Sequence, residues 1–290
     1  MSHHFSAPSR CLVIGGGGVA GIAWATGLLF GLEQRGFHLR QADWLVGTSA
    51  GSVVAAQLTS ATSLEELHHR QVHGTVPELA GGLGAMGMLR LSRAFLVRRD
   101  VDAARRSIGT FALTKGAERA QARREVIRAR LGGAQWNPER DLRITAINIE
   151  TGEREVFEAG GPATLEEAVA ASCAVPGVWH PVEIDGEQYM DGGFPSPANI
   201  DLAHGSAQTV IVAPLDRGLR KSRSPENELE ALREANPGMA ALLITPDRKA
   251  QTAMGSNPLD PRARERAAEA GLAQAQPEQS RLTHIWPQRR

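Results

Sequence analysis

Trp44-Leu45-Val46-Gly47-Thr48-Ser49-Ala50-Gly51-Ser52-Val53-Val54-Ala55-Ala56-Gln57-Leu58 changes character twice within a short span. The apolar run 44–46 reads as a buried strand and the small apolar residues 52–58 as a helix. Gly47-Thr48-Ser49-Ala50-Gly51 stands between them with the spacing G-x-S-x-G. Only small neighbours fit a strand-to-helix bend this sharp, and the bend lifts the serine oxygen above the sheet at a helix N-terminus, where a nucleophile is needed. A serine that merely caps the helix beginning at Ala50 accounts for the same residues without chemistry.

The preceding residues repeat the pattern. Residues 12–14 are apolar and run into Gly15-Gly16-Gly17-Gly18, and 21–35 reads as an apolar helix stopped by Gly36. Two successive strand, turn and helix units predict a three-layer α/β/α fold with a mainly parallel sheet and functional groups at the carboxyl ends of its strands. Downstream, Ser63 with Glu66 and Thr164 with Glu167 read as helix-opening capping boxes. Helices are also expected near 91–99, 115–131, 226–235 and 261–270, and strands at 142–148, 153–157, 209–213 and 240–245. Residues 182–190 carry Asp185-Gly186 between two alternating runs, a hairpin whose outgoing strand delivers Asp191. Residues 74–88, rich in Gly, Ala, Leu and Met, suit either a pliable substrate-facing loop or an ordinary connection. One domain over 10–275 is expected, with a disordered stretch at 1–9 and a polar, frayed tail at 276–290.

Composition narrows the function. Among 290 residues, 32 basic and 32 acidic side chains cancel, which gives no whole-molecule field for nucleic acid or an anionic membrane. The arginines crowded between 90 and 130 read as a solvated face, with transient membrane-surface contact as the alternative. Two cysteines, Cys11 and Cys173, are too few for a disulfide framework and fit a cytoplasmic protein. The uncharged run 11–32 is long enough for a membrane span, but a glycine inside a helix costs roughly 1 kcal/mol, and this run has four in a row. Read instead as a signal peptide cleaved after Ala23-Trp24-Ala25, it would lose the glycine loop.

If Ser49 is a nucleophile, the tetrahedral intermediate needs donors for its oxyanion, and the amides of Gly16, Gly17 and Gly18 sit beside the adjacent strand. Gly16-Gly17-Gly18-Val19-Ala20-Gly21 also matches the dinucleotide fingerprint G-x-G-x-x-G. That rival needs an acidic residue closing the second strand, which ends instead in Gly47-Thr48-Ser49. Of nine histidines only His180 and His204 flank Asp191, and the order Ser49, Asp191, His204 would suit a histidine-assisted α/β-hydrolase. Asp191 is the better base: it leaves a strand, Gly192-Gly193 leaves it uncrowded, and desolvation raises a carboxylate's basicity. The bland reading is an aspartate opening an Asp-Gly turn. A catalytically dead nucleotide-binding or scaffold protein is the alternative from outside the enzymes.

Together, Gly16–Gly21, Gly47–Gly51 and Asp191-Gly192-Gly193 resemble, in order, the three signatures of the patatin-like phospholipase family. Ala171-Ser172-Cys173-Ala174-Val175-Pro176-Gly177 resembles the segment that precedes the family's aspartate. The resemblance spans about 11–201 and implies that Ser49 is the nucleophile, Asp191 its base and the amides near Gly17 and Gly18 the oxyanion hole. It implies no histidine, cofactor or metal, and acyl esters of lipids or simpler lipophilic esters as substrates. Where the family carries Arg or Lys two places after the glycine triplet, this sequence has Ala20. That departure, with the neutral net charge, predicts weak headgroup recognition and a preference for monomeric or short-chain esters over bilayer phospholipid.

Overall fold

Strand β1 (Arg10–Ile14) is buried at every position, and its alternate side chains enter two separate apolar cores. Leu12 and Ile14 join one, Cys11 and Val13 the other, as expected for a central strand covered on both faces. The computed structural model describes residues 9–74, 78–79, 81–82, 85–98, 100–114 and 119–287. After β1 come α1 (Gly18–Glu33), β2 (Trp44–Thr48), α2 (Ala50–Leu58), α3 (Leu64–His73), α4 (Ala85–Val97), α5 (Val101–Ala112) and α6 (Ala120–Leu131). Then follow β3 (Asp141–Asn148), β4 (Arg154–Phe157), α7 (Leu165–Ser172), β5 (Val182–Ile184) and β6 (Glu187–Asp191). The chain finishes with β7 (Gln208–Val212), α8 (Pro225–Ala235), β8 (Ala240–Ile244), α9 (Arg248–Met254) and α10 (Arg264–Ile285).

The sheet order is β5-β6-β3-β2-β1-β7-β8, with β4 also on β3. Strands β3, β2, β1, β7 and β8 run parallel, while β4 and β6 lie antiparallel to β3. This is the expected α/β architecture with a mainly parallel sheet between helices. The hairpin forms around Asp185, whose φ of 51° is the turn conformation that Asp-Gly favours. Thr164 and Glu167 make the reciprocal capping box, whereas Ser63 makes the forward half, accepting from the Glu66 amide.

Two expectations about elements are corrected, and a third lies partly outside the described residues. Helices α5 and α9, each opened by an aspartate cap at Asp100 and Asp247, were not foreseen. The helix expected over 115–131 is described from Ala120, residues 115–118 lying outside the described set. The tail expected at 276–290 is largely helical, because α10 continues through Pro277 to Ile285. Proline removes one helical hydrogen bond, but here packing wins: Leu282 and Trp286 are buried, and the Arg10 guanidinium lies 4.9 Å from the Trp286 ring. Residues 1–8, most of the disordered N-terminus expected from the sequence, also lie outside the described set.

The uncharged run 11–32 becomes β1, the glycine loop and most of α1, whose side chains are buried nearly all round. Its partner is α10. A Cβ on Gly27 would stand 2.0 Å from the Ala268 carbonyl oxygen, and one on Gly271 would stand 2.1 Å from that of Trp24, so the two backbones touch. Trp24 donates its indole N–H to Gln274 across the same contact. Among the described residues no helix is long and apolar enough to cross a membrane.

Candidate active site

Parallel pairing sets the site's height above the sheet. Thr48 of β2 is in register with Thr145 of β3, so Ser49 comes level with Ala146, and Ala146 is in register with Asp191 of β6. A serine and an aspartate 142 positions apart thereby leave the sheet at the same level. The Ser49 hydroxyl donates to Asp191 Oδ2 at 2.6 Å.

Ser49 has φ 52° and ψ −122°, the left-handed region that a β-substituted residue adopts only when its surroundings hold it there, at a cost of about 1–3 kcal/mol. The surroundings do hold it. Its amide donates to Ser172 Oγ at 2.8 Å, and its carbonyl accepts from the Ser52 amide at 2.9 Å, the Ser52 hydroxyl at 2.6 Å and the Cys173 thiol at 3.1 Å. Gly47 and Gly51 are glycines for lack of room: a Cβ on Gly47 would lie 2.6 Å from Ser52 Cα, and one on Gly51 2.0 Å from the Ile14 carbonyl oxygen. The elbow expected from G-x-S-x-G is therefore present, and the grip of Ser172 and Cys173 on it is an addition. Their sequence signal was only the resemblance of the segment around them.

Asp191 is 2% exposed. Burial drives its carboxyl above the ordinary range to about 6, opposed by the Ser49 hydroxyl, the Gly193 amide donating to Oδ1 at 2.8 Å, and the charge of Arg123. Gly192 and Gly193 are again steric necessities, since a Cβ on Gly192 would lie 2.3 Å from the Thr145 carbonyl oxygen and one on Gly193 3.0 Å from Asp191 Oδ1. Beneath this loop Asn199 donates to the Gly192 carbonyl at 3.1 Å and to Thr48 Oγ1 at 3.0 Å, tying the aspartate's turn to the nucleophile's strand. Asn199 was not singled out from the sequence, because one polar residue in a loop carries no periodic signal.

The glycine loop crosses directly over Ser49, a Cβ on Gly16 falling 3.3 Å from Ser49 Cβ. One expectation changes here. The Gly16 amide, taken as an oxyanion donor, already donates to the Pro197 carbonyl at 2.7 Å. The amides of Gly17, Gly18 and Val19, at the start of α1, have no hydrogen-bond partner among the described residues. The unspent donors thus lie one residue further on, at a helix end that carries partial positive charge. The dinucleotide reading of this loop meets occupied space beside Gly17 and Gly18. Pro214 lies against Gly17, and the Pro258 carbonyl, which accepts from the Ala20 amide, lies against Gly18.

A cavity of about 30 Å³ opens at Ser49, with Gly18, Val19, Leu79, Arg123, Cys173, Trp179 and Leu259 in its wall. It holds about one water, and anything larger enters only as those walls part. Leu79 comes from the pliable segment 74–88, of which residues 75–77, 80, 83 and 84 lie outside the described set. Arg130 also lines the cavity and is ion-paired with Glu78. No histidine lines it, and His204 is an exposed residue just after a short turn of helix. Both cysteines are free and buried, and burial raises both thiols.

Among solved structures the fold resembles VipD from Legionella pneumophila, at 15% identity over 95% of this chain and 67% of that one, with a TM-score of 0.49. It also resembles the type III effector ExoU, at 18% identity over 95% of this chain and 53% of that one, TM-score 0.41. ExoU from Pseudomonas aeruginosa in complex with SpcU matches at 19% identity over 93% and 53%, TM-score 0.38. The chain therefore spans about two thirds of VipD and about half of ExoU. The family model described as Patatin-like phospholipase matches residues 12–204, which take in the glycine loop, the Ser49 elbow and Asp191, and the chain belongs to that family.

Proposed function

We propose that this protein is a serine acyl hydrolase that cleaves carboxylic esters of lipids through an acyl-Ser49 intermediate, with Asp191 as the only protein base. The observation that carries the reading is the 2.6 Å hydrogen bond from the Ser49 hydroxyl to a buried carboxyl of raised basicity. As Ser49 Oγ attacks the ester carbonyl, its proton passes to Asp191 Oδ2. The carbonyl oxygen, now negative, is received by the N–H groups of Gly17 and Gly18, each donor of this kind being worth about 3 kcal/mol in the transition state. Collapse of the intermediate expels the alcohol, which takes the proton from Asp191. A water then gives its proton to Asp191 and attacks the acyl-enzyme, and Ser49 leaves with that proton.

The lipid surface is met by α4, on the same reading. Leu89, Leu96 and Val97 of this helix are exposed large apolar residues, 59%, 80% and 66% accessible, with Arg90 and Arg93 exposed among them. An apolar face set among arginines suits a membrane interface rather than water. Helices α4 and α5 pack on Ile147, Ile149 and Met190, at the strand ends that carry the site.

A fluorophosphonate probe tests the nucleophile. Wild-type protein is expected to be labelled stoichiometrically and Ser49→Ala not at all, with matching circular dichroism. Labelling that survives in Ser49→Ala, or hydrolysis abolished by His204→Ala in a folded protein, would overturn the Ser-Asp assignment.

A further inference from the structure

Arg123 of α6 lines the cavity that opens at Ser49, yet no carboxylate pairs with it among the described residues. Its neighbours are accounted for elsewhere. Glu78 lies between Arg130 and Arg264, and the Asp191 oxygens accept from Ser49 and Gly193. Arg123 itself donates one hydrogen bond, from Nη2 to the Cys173 carbonyl at 3.3 Å, and lies 4.7 Å from the centre of the Trp179 ring. Its Nε is out of contact with solvent and has no acceptor. Burial lowers its pKa to about 10, which leaves the guanidinium fully charged at neutral pH. The side chain is half-buried, and a partly desolvated cation is ordinarily matched by a carboxylate in direct contact. A second guanidinium, of the exposed Arg119, lies 5.4 Å from the same tryptophan ring.

We propose that Arg123 is a substrate subsite: it receives an oxyanion, phosphodiester or carboxylate, carried by the ester whose carbonyl sits at Ser49. The proposal rests on the acyl-hydrolase reading and narrows it to anionic acyl esters. The guanidinium fork matches phosphate and carboxylate oxygens in pairs, and the substrate's charge supplies the directly bonded oxyanion that Glu78 and Asp191, which act on Arg123 only through space, do not. It also revises the expectation drawn from Ala20, because the cation comes from α6 rather than from the glycine loop.

Three monomeric substrates share one acyl portion: 1,2-dihexanoylglycerol, its phosphoglycerol diester and its hemisuccinate. Wild-type protein is expected to show kcat/KM at least tenfold higher for a charged member than for the neutral one, and the two charged members tell phosphate from carboxylate. Arg123→Gln is expected to collapse that ratio about tenfold, mainly through KM, and Arg123→Lys to retain most of it. Equal losses on charged and neutral esters would mean that Arg123 only supports the wall. A rise in the apparent pKa of kcat/KM on all three esters, with the ratio intact, would mean that it only tunes Asp191. Either result overturns the proposal. Binding separates failure of the subsite from failure of the hydrolase reading. In Ser49→Ala, dihexanoyl phosphoglycerol is expected to perturb tryptophan fluorescence, and to lose that effect with Trp179→Phe or Arg123→Gln. No binding by the Ser49→Ala protein would overturn the subsite whether or not the wild type hydrolyses esters.

Discussion

Asp191, the proposed base for the Ser49 proton, is also a carboxylate held out of water, and burial sets the two against each other. Its pKa near 6 predicts that kcat/KM rises with pH through about 6 and then stays level, since no second titrating base takes part. A descending limb near neutrality removed by a histidine substitution would contradict this. The same shift affects stability. The unfolded carboxyl titrates at 3.8 and the folded one at about 6, so the folded state binds more protons between those values. The carboxyl's contribution is complete below pH 3.8 and is lost as pH rises through 6, leaving ionised Asp191 a cost of about 2–3 kcal/mol above it. Asp191→Asn is therefore expected to be inactive, and to have a melting temperature that gains on wild type at pH 8 relative to pH 4. The meeting of Ser49 and Asp191 was readable from sequence because each carries local glycine spacing dictated by contact. The contacts that tie Ser172, Asn199 and Arg123 to their partners were not, since those partners arrive from 45 to 151 positions away in the chain.

Helices were readable where their apolar spacing was long or their caps reciprocal, as in α1 and α7. Helix α5 was missed although Ala104, Ile108 and Ala112 recur every fourth residue on its buried face, because two of those three are alanines and charged or small residues fill most of its other positions. Helix α4 was foreseen near 91–99 as a solvated charged face. In the structure its exposed apolar residues are too large for that description. If α4 meets lipid, Leu96→Asp with Val97→Asp is expected to weaken partition onto phosphatidylglycerol vesicles at least tenfold in a flotation assay. Each fully buried apolar side chain is worth about 1.5–3 kcal/mol, and the new carboxylates are repelled. Unchanged flotation would remove α4 from the membrane contact.

Across the whole molecule, the succession of strands was readable but their neighbours were not. The central position of β1, between β2 and β7, depends on pairings between residues about 30 and 200 positions apart, which local pattern does not encode. The C-terminal helix shows this most plainly: read to its proline it is a fraying end, whereas against α1 it is a wall of the core. Deleting residues 277–290 removes Leu282 and Trp286 from that wall and is expected to cost about 3–5 kcal/mol, read as a lower denaturant midpoint. A midpoint unchanged within error would return the segment to the status of a tail.

The backbone contact between α1 and α10 also sets an order in time. The amides assigned to the oxyanion lie at the start of α1, and α10, the helix against which α1 is seated, follows it by more than two hundred residues in the chain. A nascent chain carries its serine, its aspartate and its glycine loop long before their scaffold is whole. On the acyl-hydrolase reading, ester cleavage begins only once α10 has been made and has docked on α1.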